Sequence, residues 1–380
     1  SRYTLINSEI KYCIMNDEIG YSGPSLKIIE KHQIKIGDSI SIVTNNSECM
    51  GTLLPRYQYA DNNHLVIKLK NGYNIGVDVS RITNIRLVAI GTPPTFVGSP
   101  LPRLNPELPK ISIISTGGTI ASRVDYRTGA VHPALTASEL YATAPELAEH
   151  ALIDAEVLYS IYSENITPKI WTTIAQKILE KLAEGYRGVI ITHGTDTMAY
   201  TSAALSFALV NIPIPVILVG AQRSSDRPSS DSFTNLLGAV HFTSSTDITG
   251  VYLIMHSNLS DDDLSVHLGT KVRKNHTSTR NAFESVNCKP AAYINGETIK
   301  KVIQDLPKGS KEFKPLIKFE EKVALTKFHP GFNPKTLDFL VEEGYRGLII
   351  EGTGLGHVNS STLQPIKRAI SSGLIVGMTS

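Results

Sequence analysis

The stretch Val189-Ile190-Ile191-Thr192-His193-Gly194-Thr195-Asp196-Thr197-Met198 decides the fold. Its first four residues are all β-branched, as in the short apolar runs of buried parallel strands. His193-Gly194 breaks the run, and a helix is predicted from Thr197 to Val210. Strand, short loop and helix make the repeating unit of an α/β sheet. The same rhythm continues on both sides. Ile111–Ser115, Val216–Val219 and Val251–Met255 are apolar runs bounded by glycine or polar residues. Ile170, Ile174, Ile178 and Leu182 recur every fourth residue behind Thr167-Pro168, a helix start. Open sheets of this kind bind ligands beyond the carboxyl ends of their strands. Two glycine-bearing segments hold that position: Thr192–Met198 and Ser115-Thr116-Gly117-Gly118-Thr119-Ile120.

Farther out the pattern changes. Residues 302–319 are rich in lysine and hold Pro307, Gly309 and Pro315, which reads as a linker. Beyond it, Val323–Leu325, Leu337–Glu342, Leu348–Ile350, Leu363–Ile370 and Leu374–Val376 resume the strand–helix alternation. The sequence stops at Ser380 directly after a strand-like run, so a smaller domain, 320–380, incomplete at its C-terminus is expected. Toward the other end, Pro93, Pro94, Pro100, Pro102, Pro106 and Pro109 make 93–110 an extended, semi-rigid linker. Residues 1–92 contain Ser39–Val43 and Leu65–Leu69, with further strands expected at Gly51–Leu54, Tyr73–Val77 and Ile82–Val88. Asn71-Gly72 is a tight-turn signal. Short strands with polar turns predict a small N-terminal β-barrel ahead of a larger α/β domain, 111–301. Arg56, Lys68, Lys70 and Arg81 read as scattered surface charge or as RNA contacts.

A chain of 380 residues is too long for one compact core. With 41% hydrophobic and 19% charged residues it is no disordered segment, and a net charge of +2 exerts no broad pull on nucleic acid. No apolar run approaches the roughly 20 residues that span a bilayer, and no signal-peptide pattern opens the chain. Cys13, Cys49 and Cys288 are far apart and odd in number. They predict no disulfide framework, no zinc cluster and a reducing cytoplasmic setting. No metal or cofactor is expected in this chain.

Glycines after a strand let the backbone turn sharply and let a ligand approach main-chain N–H groups. Taken alone, Gly117-Gly118 fits a phosphate cradle, a catalytic loop or a plain tight turn. It lacks the lysine of a P-loop and the spacing of a dinucleotide fingerprint. Asp196 reads either as a helix N-cap or as a functional carboxylate. A threonine hydroxyl attacks only when a base takes its proton. Lys274, in Lys271-Val272-Arg273-Lys274-Asn275-His276-Thr277, is the candidate base, and a basic surface turn is the alternative. A lysine beside a buried carboxylate and away from water can serve that purpose.

From Ile111 to Ser380 the chain resembles the asparaginase/glutaminase family, through Thr116–Ala121 and His193–Thr197 in that order. Lys274–Thr277, with Phe283 following, resembles the family's catalytic-lysine segment. The resemblance implies Thr119 as nucleophile, with Thr195, Asp196 and Lys274 as the second catalytic group. Ser163, in Tyr162–Pro168, resembles the site for the substrate α-carboxylate, with Glu164, Gly118 and Asp196 in the substrate-binding set. The family's flexible-loop tyrosine has no clear match: Val131-His132 lie near its place, and Tyr126 is the nearest tyrosine. His357 stands where many members carry asparagine.

The barrel, the proline linker, Gly220–Pro228 and Gly354-Leu355-Gly356-His357 resemble the branch of that family that supplies ammonia within tRNA-dependent amidotransferases. This implies glutamine or asparagine as donor and a partner subunit holding Glu-tRNA with ATP and Mg2+. It also implies a homodimer within a heterotetramer. A free L-asparaginase with an extra domain is the second reading, and a non-catalytic binding module the third. Arg223 and Arg227 beside Asp226 read as a loop held by ion pairs, His193 as a brace of the strand–helix turn, and Trp171 and Phe207 as core.

Overall fold

A computed structural model describes residues 21–45, 47–54, 56, 61–70, 73–91, 102, 104–118, 122–124, 131–133, 136–223, 230–259, 263–309 and 312–380. The chain divides into two compact units, 1–100 with 122–132, and 101–121 with 133–380.

In the first unit, Ser39–Thr44 (β1), Glu48–Leu53 (β2), His64–Leu69 (β3), Asn74–Asp78 (β4) and Ile82–Ala89 (β5) pair antiparallel in the order β4-β3-β2-β1-β5. Alternation along β1 and β3 buries Ile40, Ile42, Leu65 and Ile67 on one face, where Ile29 of the helix Gly23–Lys31 joins them. The sequence predicted a closed barrel. The sheet is open instead, since β4 and β5 are its two edges and share no ladder among the described residues. A three-residue turn, Val79–Arg81, carries the chain from β4 to the far side of β1. There β5 pairs with β1 through two register shifts, so its hydrogen bonds go to β1 and not to β4. Asn71-Gly72 lies outside the described residues.

The second unit opens with Lys110–Ser115 (β6). Ser122–Val124 (β7) and Val131–Pro133 (β8), which fall mostly in the first unit, pair as a separate two-stranded ribbon. Leu152–Val157 (β9), Gly188–Thr192 (β10), Pro215–Val219 (β11) and Gly250–His256 (β12) then join β6 in parallel register. Asp263–Leu268 (β13) follows. Val272–Lys274 (β14) and Phe283–Ser285 (β15) form a hairpin of their own, and Ala292–Asn295 (β16) and Thr298–Lys301 (β17) come next. The large sheet has the order β17-β16-β13-β12-β11-β10-β6-β9, its β13, β16 and β17 antiparallel.

The central strands β10, β11 and β12 are largely apolar and buried because both faces are covered. Ile190, Ile217, Tyr252 and Ile254 pack to one side with Leu147 and with Leu236 and Val240 of the helix Ser232–Ser245. Val189, Ile191, Val216, Leu218 and Leu253 pack to the other, with Ile174 and Ile178 of Pro168–Ala183 and Leu205 of Met198–Ala208. Burial of such side chains on both faces is worth roughly 2 kcal/mol each. Val323–Lys327 (β18), Gly347–Glu351 (β19) and Ile375–Thr379 (β20) make a second parallel sheet with the helices Lys335–Glu342 and Ser360–Ser371. No helix among the described residues is long and apolar enough to cross a membrane.

Candidate active site

β6 and β10 are neighbours, so the loops leaving their carboxyl ends meet. Thr116 fixes the approach: its N–H and its hydroxyl both donate to the Thr192 carbonyl, at 3.0 and 2.9 Å. Gly118 then has φ +76°, and a Cβ there would stand 3.0 Å from Gly194 N and from the His193 carbonyl group. A side chain would strain the turn and force the two loops apart. Gly194 in turn faces Ser163: a Cβ on it would come within 2.8 Å of the Ser163 Cβ. Ser163 is buried at the first position of the short turn Ser163–Asn165, and its carbonyl accepts a 2.6 Å bond from the Thr197 hydroxyl. Three loops, from β6, β9 and β10, thus close on one another.

Lys274 enters from the β14–β15 hairpin. Its Nζ donates to Thr195 Oγ1 at 2.9 Å and to Asp196 Oδ1 at 2.7 Å. The lysine side chain is 11% exposed and the Asp196 side chain 69%. The carboxylate is therefore not the buried partner the sequence predicted. The cause is its position at the mouth of the β10 loop, one residue before the helix cap. The cap itself is Thr197, which makes no side-chain cap bond, and Asp196 is spent on Lys274.

His193 braces this turn, as its position between strand and helix predicts. It is buried, with Nδ1 2.6 Å from the Gly194 carbonyl and Nε2 2.9 Å from Thr201 Oγ1. Burial pushes its pKa down to about 4, and the bond to Gly194 opposes that only in part. Thr201 also accepts a 3.0 Å bond from the Trp171 indole, whose ring packs edge-on against Phe319. Trp171 is thus half-buried, and Phe207 is 69% exposed rather than core.

The loop after β11 carries a residue the sequence reading missed. Asp231 is buried, and its carboxylate accepts the Gln222 and Arg223 backbone N–H at 3.0 and 2.9 Å and the Asn235 amide at 3.0 Å. Gln222 Nε2 then reaches the Thr279 carbonyl at 2.9 Å, tying this loop to the segment that follows Lys274. Asp226 and Arg227 lie outside the described residues. An aspartate directly before a helix was the available signal, but its carboxylate holds the loop and not the cap.

Of the predicted site residues, the structure brings together Gly118, Ser163, Thr195, Asp196 and Lys274. Glu164 is exposed beside Ser163. Thr119 and Tyr126 lie outside the described residues, as do the side chains of Val131 and His132. His357 sits on an exposed turn closed by its bridge to Thr353. Arg56 is held by Asp61 Oδ2 at 2.7 Å and by the carbonyls of Asp61 and His64, a structural use that takes it from the candidate RNA contacts.

The profile described as "Asparaginase, N-terminal" matches residues 110–305, and "Glutaminase/Asparaginase C-terminal domain" matches 322–380. The chain belongs to the asparaginase/glutaminase family. A further match, "GatD N-terminal domain", covers residues 34–88, which span nearly all of the open antiparallel sheet. Among family members, the chain is 44% identical over 372 residues to the D subunit of glutamyl-tRNA(Gln) amidotransferase from Methanopyrus kandleri, covering 95% of this chain and 81% of that one. It is 46% identical over 363 residues to the protein of the same name from Pyrococcus furiosus, with 93% and 82% covered. Among solved structures of the family, the thermostable L-asparaginase from Thermococcus kodakarensis is similar at 30% identity and a TM-score of 0.61, covering 71% of this chain and 82% of that one.

Proposed function

We propose that this chain is the glutaminase subunit of a tRNA-dependent amidotransferase. It releases ammonia from glutamine or asparagine, and a partner subunit uses that ammonia to convert Glu-tRNA(Gln) to Gln-tRNA(Gln) with ATP and Mg2+. The observation that carries the reading is the Lys274–Thr195–Asp196 contact at the carboxyl end of β10, in a chain whose N-terminal sheet matches the amidotransferase domain.

In this reading Thr119, next to Gly118, is the nucleophile. The substrate α-carboxylate sits at Ser163 with Glu164 alongside, and Asp196 receives the α-ammonium. The Thr119 oxygen bonds to the amide carbon as its proton passes to a base, and main-chain N–H groups at Gly118 and Thr195 hold the oxyanion. Each such donor is worth about 3 kcal/mol. The base returns its proton to the amide nitrogen as the C–N bond breaks and ammonia leaves, and water deprotonated through Thr195 and Lys274 clears the acyl-enzyme. ATP and Mg2+ belong to the partner subunit. The division into 1–92, 93–110, 111–301, 302–319 and 320–380 is part of the proposal, supported by the profile matches at 34–88, 110–305 and 322–380. So are a homodimer within a heterotetramer and a cytoplasmic setting.

The second reading, a free L-asparaginase, is favoured by the similarity to solved asparaginases over 71% of the chain. Assaying asparagine hydrolysis by the chain alone separates the two. The amidotransferase reading expects slow turnover that rises when partner and Glu-tRNA are added. Brisk turnover without them contradicts it.

A further inference from the structure

Away from the Lys274 site, three side chains distant in sequence converge. His150 ends the short helix Leu147–His150, His241 lies within the helix Ser232–Ser245, and Glu297 is in the Gly296-Glu297 turn between β16 and β17. Each can present one ligand atom, and those atoms all lie within 4.8 Å of one another. His150 Nε2 is 3.7 Å from Glu297 Oε1, and His241 Nδ1 is 3.6 Å from Glu297 Oε2. Two ligands at about 2.1 Å on a tetrahedral ion stand about 3.4 Å apart, so each histidine–carboxylate distance is close to that of a formed site.

The hydrogen bonding around His241 orients it for this role. Its Nε2 lies 3.1 Å from the Glu297 backbone carbonyl, which can only accept, so the ring proton sits on Nε2. The Nδ1 lone pair then faces the carboxylate, with the Ser245 hydroxyl 3.3 Å away as its present donor. An imidazole that gives its other N–H to a carbonyl is the usual arrangement behind a metal-bound histidine. Both histidine side chains are largely buried, at 12% and 9% exposure, whereas Glu297 is 79% exposed and free to close on an ion arriving from solvent.

We infer that His150, His241 and Glu297 form a binding site for a divalent transition ion of the zinc class. Two imidazole nitrogens and one carboxylate oxygen match the donor preference of that class, with water filling the fourth position. The ion would clasp the short helix, the long helix and the β16–β17 turn, and would stabilise the folded chain by mass action. Cysteine spacing could not announce this site, because its ligands come from positions 150, 241 and 297 and include no cysteine.

The test is equilibrium dialysis of the full chain against Zn2+, with metal analysis, beside Glu297→Gln and His150→Gln. Glu297 is exposed, so its variant keeps the fold. Wild type should retain one equivalent more than either variant. Co2+ should give it the intense visible bands of tetrahedral coordination, and Zn2+ should raise its Tm alone. Equal Zn2+ stoichiometry in all three proteins overturns the site. So does a Tm difference between wild type and Glu297→Gln that is the same with and without Zn2+, since that is the mark of a simple histidine–carboxylate ion pair.

Discussion

Lys274 and Thr195 are 79 positions apart, and no local pattern links them. Their residue types and the glycines around them were legible as motifs, but the 2.9 Å contact depends on the β14–β15 hairpin and the β10 loop closing together. The exposure of Asp196 was equally hidden, because an aspartate at a helix start reads first as a cap. Lys274→Met should cut kcat for ammonia release on the order of a hundredfold or more, with the far-UV spectrum unchanged. Lys274→Arg should not restore it, because a planar guanidinium stays protonated and does not fit the point contact with Thr195 and Asp196. Gly194→Ala should raise KM for glutamine, since the new methyl would stand 2.8 Å from the Ser163 Cβ and displace it. An unchanged KM would show that Ser163 does not set substrate position.

At the scale of elements, strands and helices with strict spacing were readable. Pro168–Ala183 follows its predicted start at Thr167-Pro168, and β6, β10, β11 and β12 lie on the predicted apolar runs. Three features escaped. The helix Met198–Ala208 is apolar nearly all round, so its sequence does not say that Phe207 faces outward. The antiparallel β16–β17 hairpin turns at Gly296-Glu297, with Asn295 paired to Thr298, between four-residue strands that offer little alternation to read. Barrel closure depends on where the chain goes after β4, and strand patterns alone do not give that. The Asp231 clamp yields its own expectation. Asp231→Ala strands the Gln222 and Arg223 N–H groups and the Asn235 amide, and should cost about 2–4 kcal/mol in urea unfolding.

For the whole molecule, buried histidines set the response to acid. His193 and His267 are both held near pKa 4 by burial, below their ordinary 6.5. Between those values the unfolded chain binds more protons than the folded one, so stability falls as pH drops from about 6.5 to 4 and is fully present above 6.5. Complete protonation costs on the order of 3 kcal/mol per site. Tm measured across this window should decline steeply, and His267→Asn should flatten the decline. A wild-type Tm independent of pH there would contradict the burial of these rings.

One catalytic set, drawn from the two threonine-bearing sequence segments Thr116–Ala121 and His193–Thr197, carries the proposed chemistry. Its most direct test is ammonia release from glutamine by Thr119→Ala and Lys274→Ala, with the partner subunit and Glu-tRNA supplied. Both variants should fall to a small fraction of wild-type release while remaining folded. Near-wild-type release from either one contradicts the role assigned to that residue.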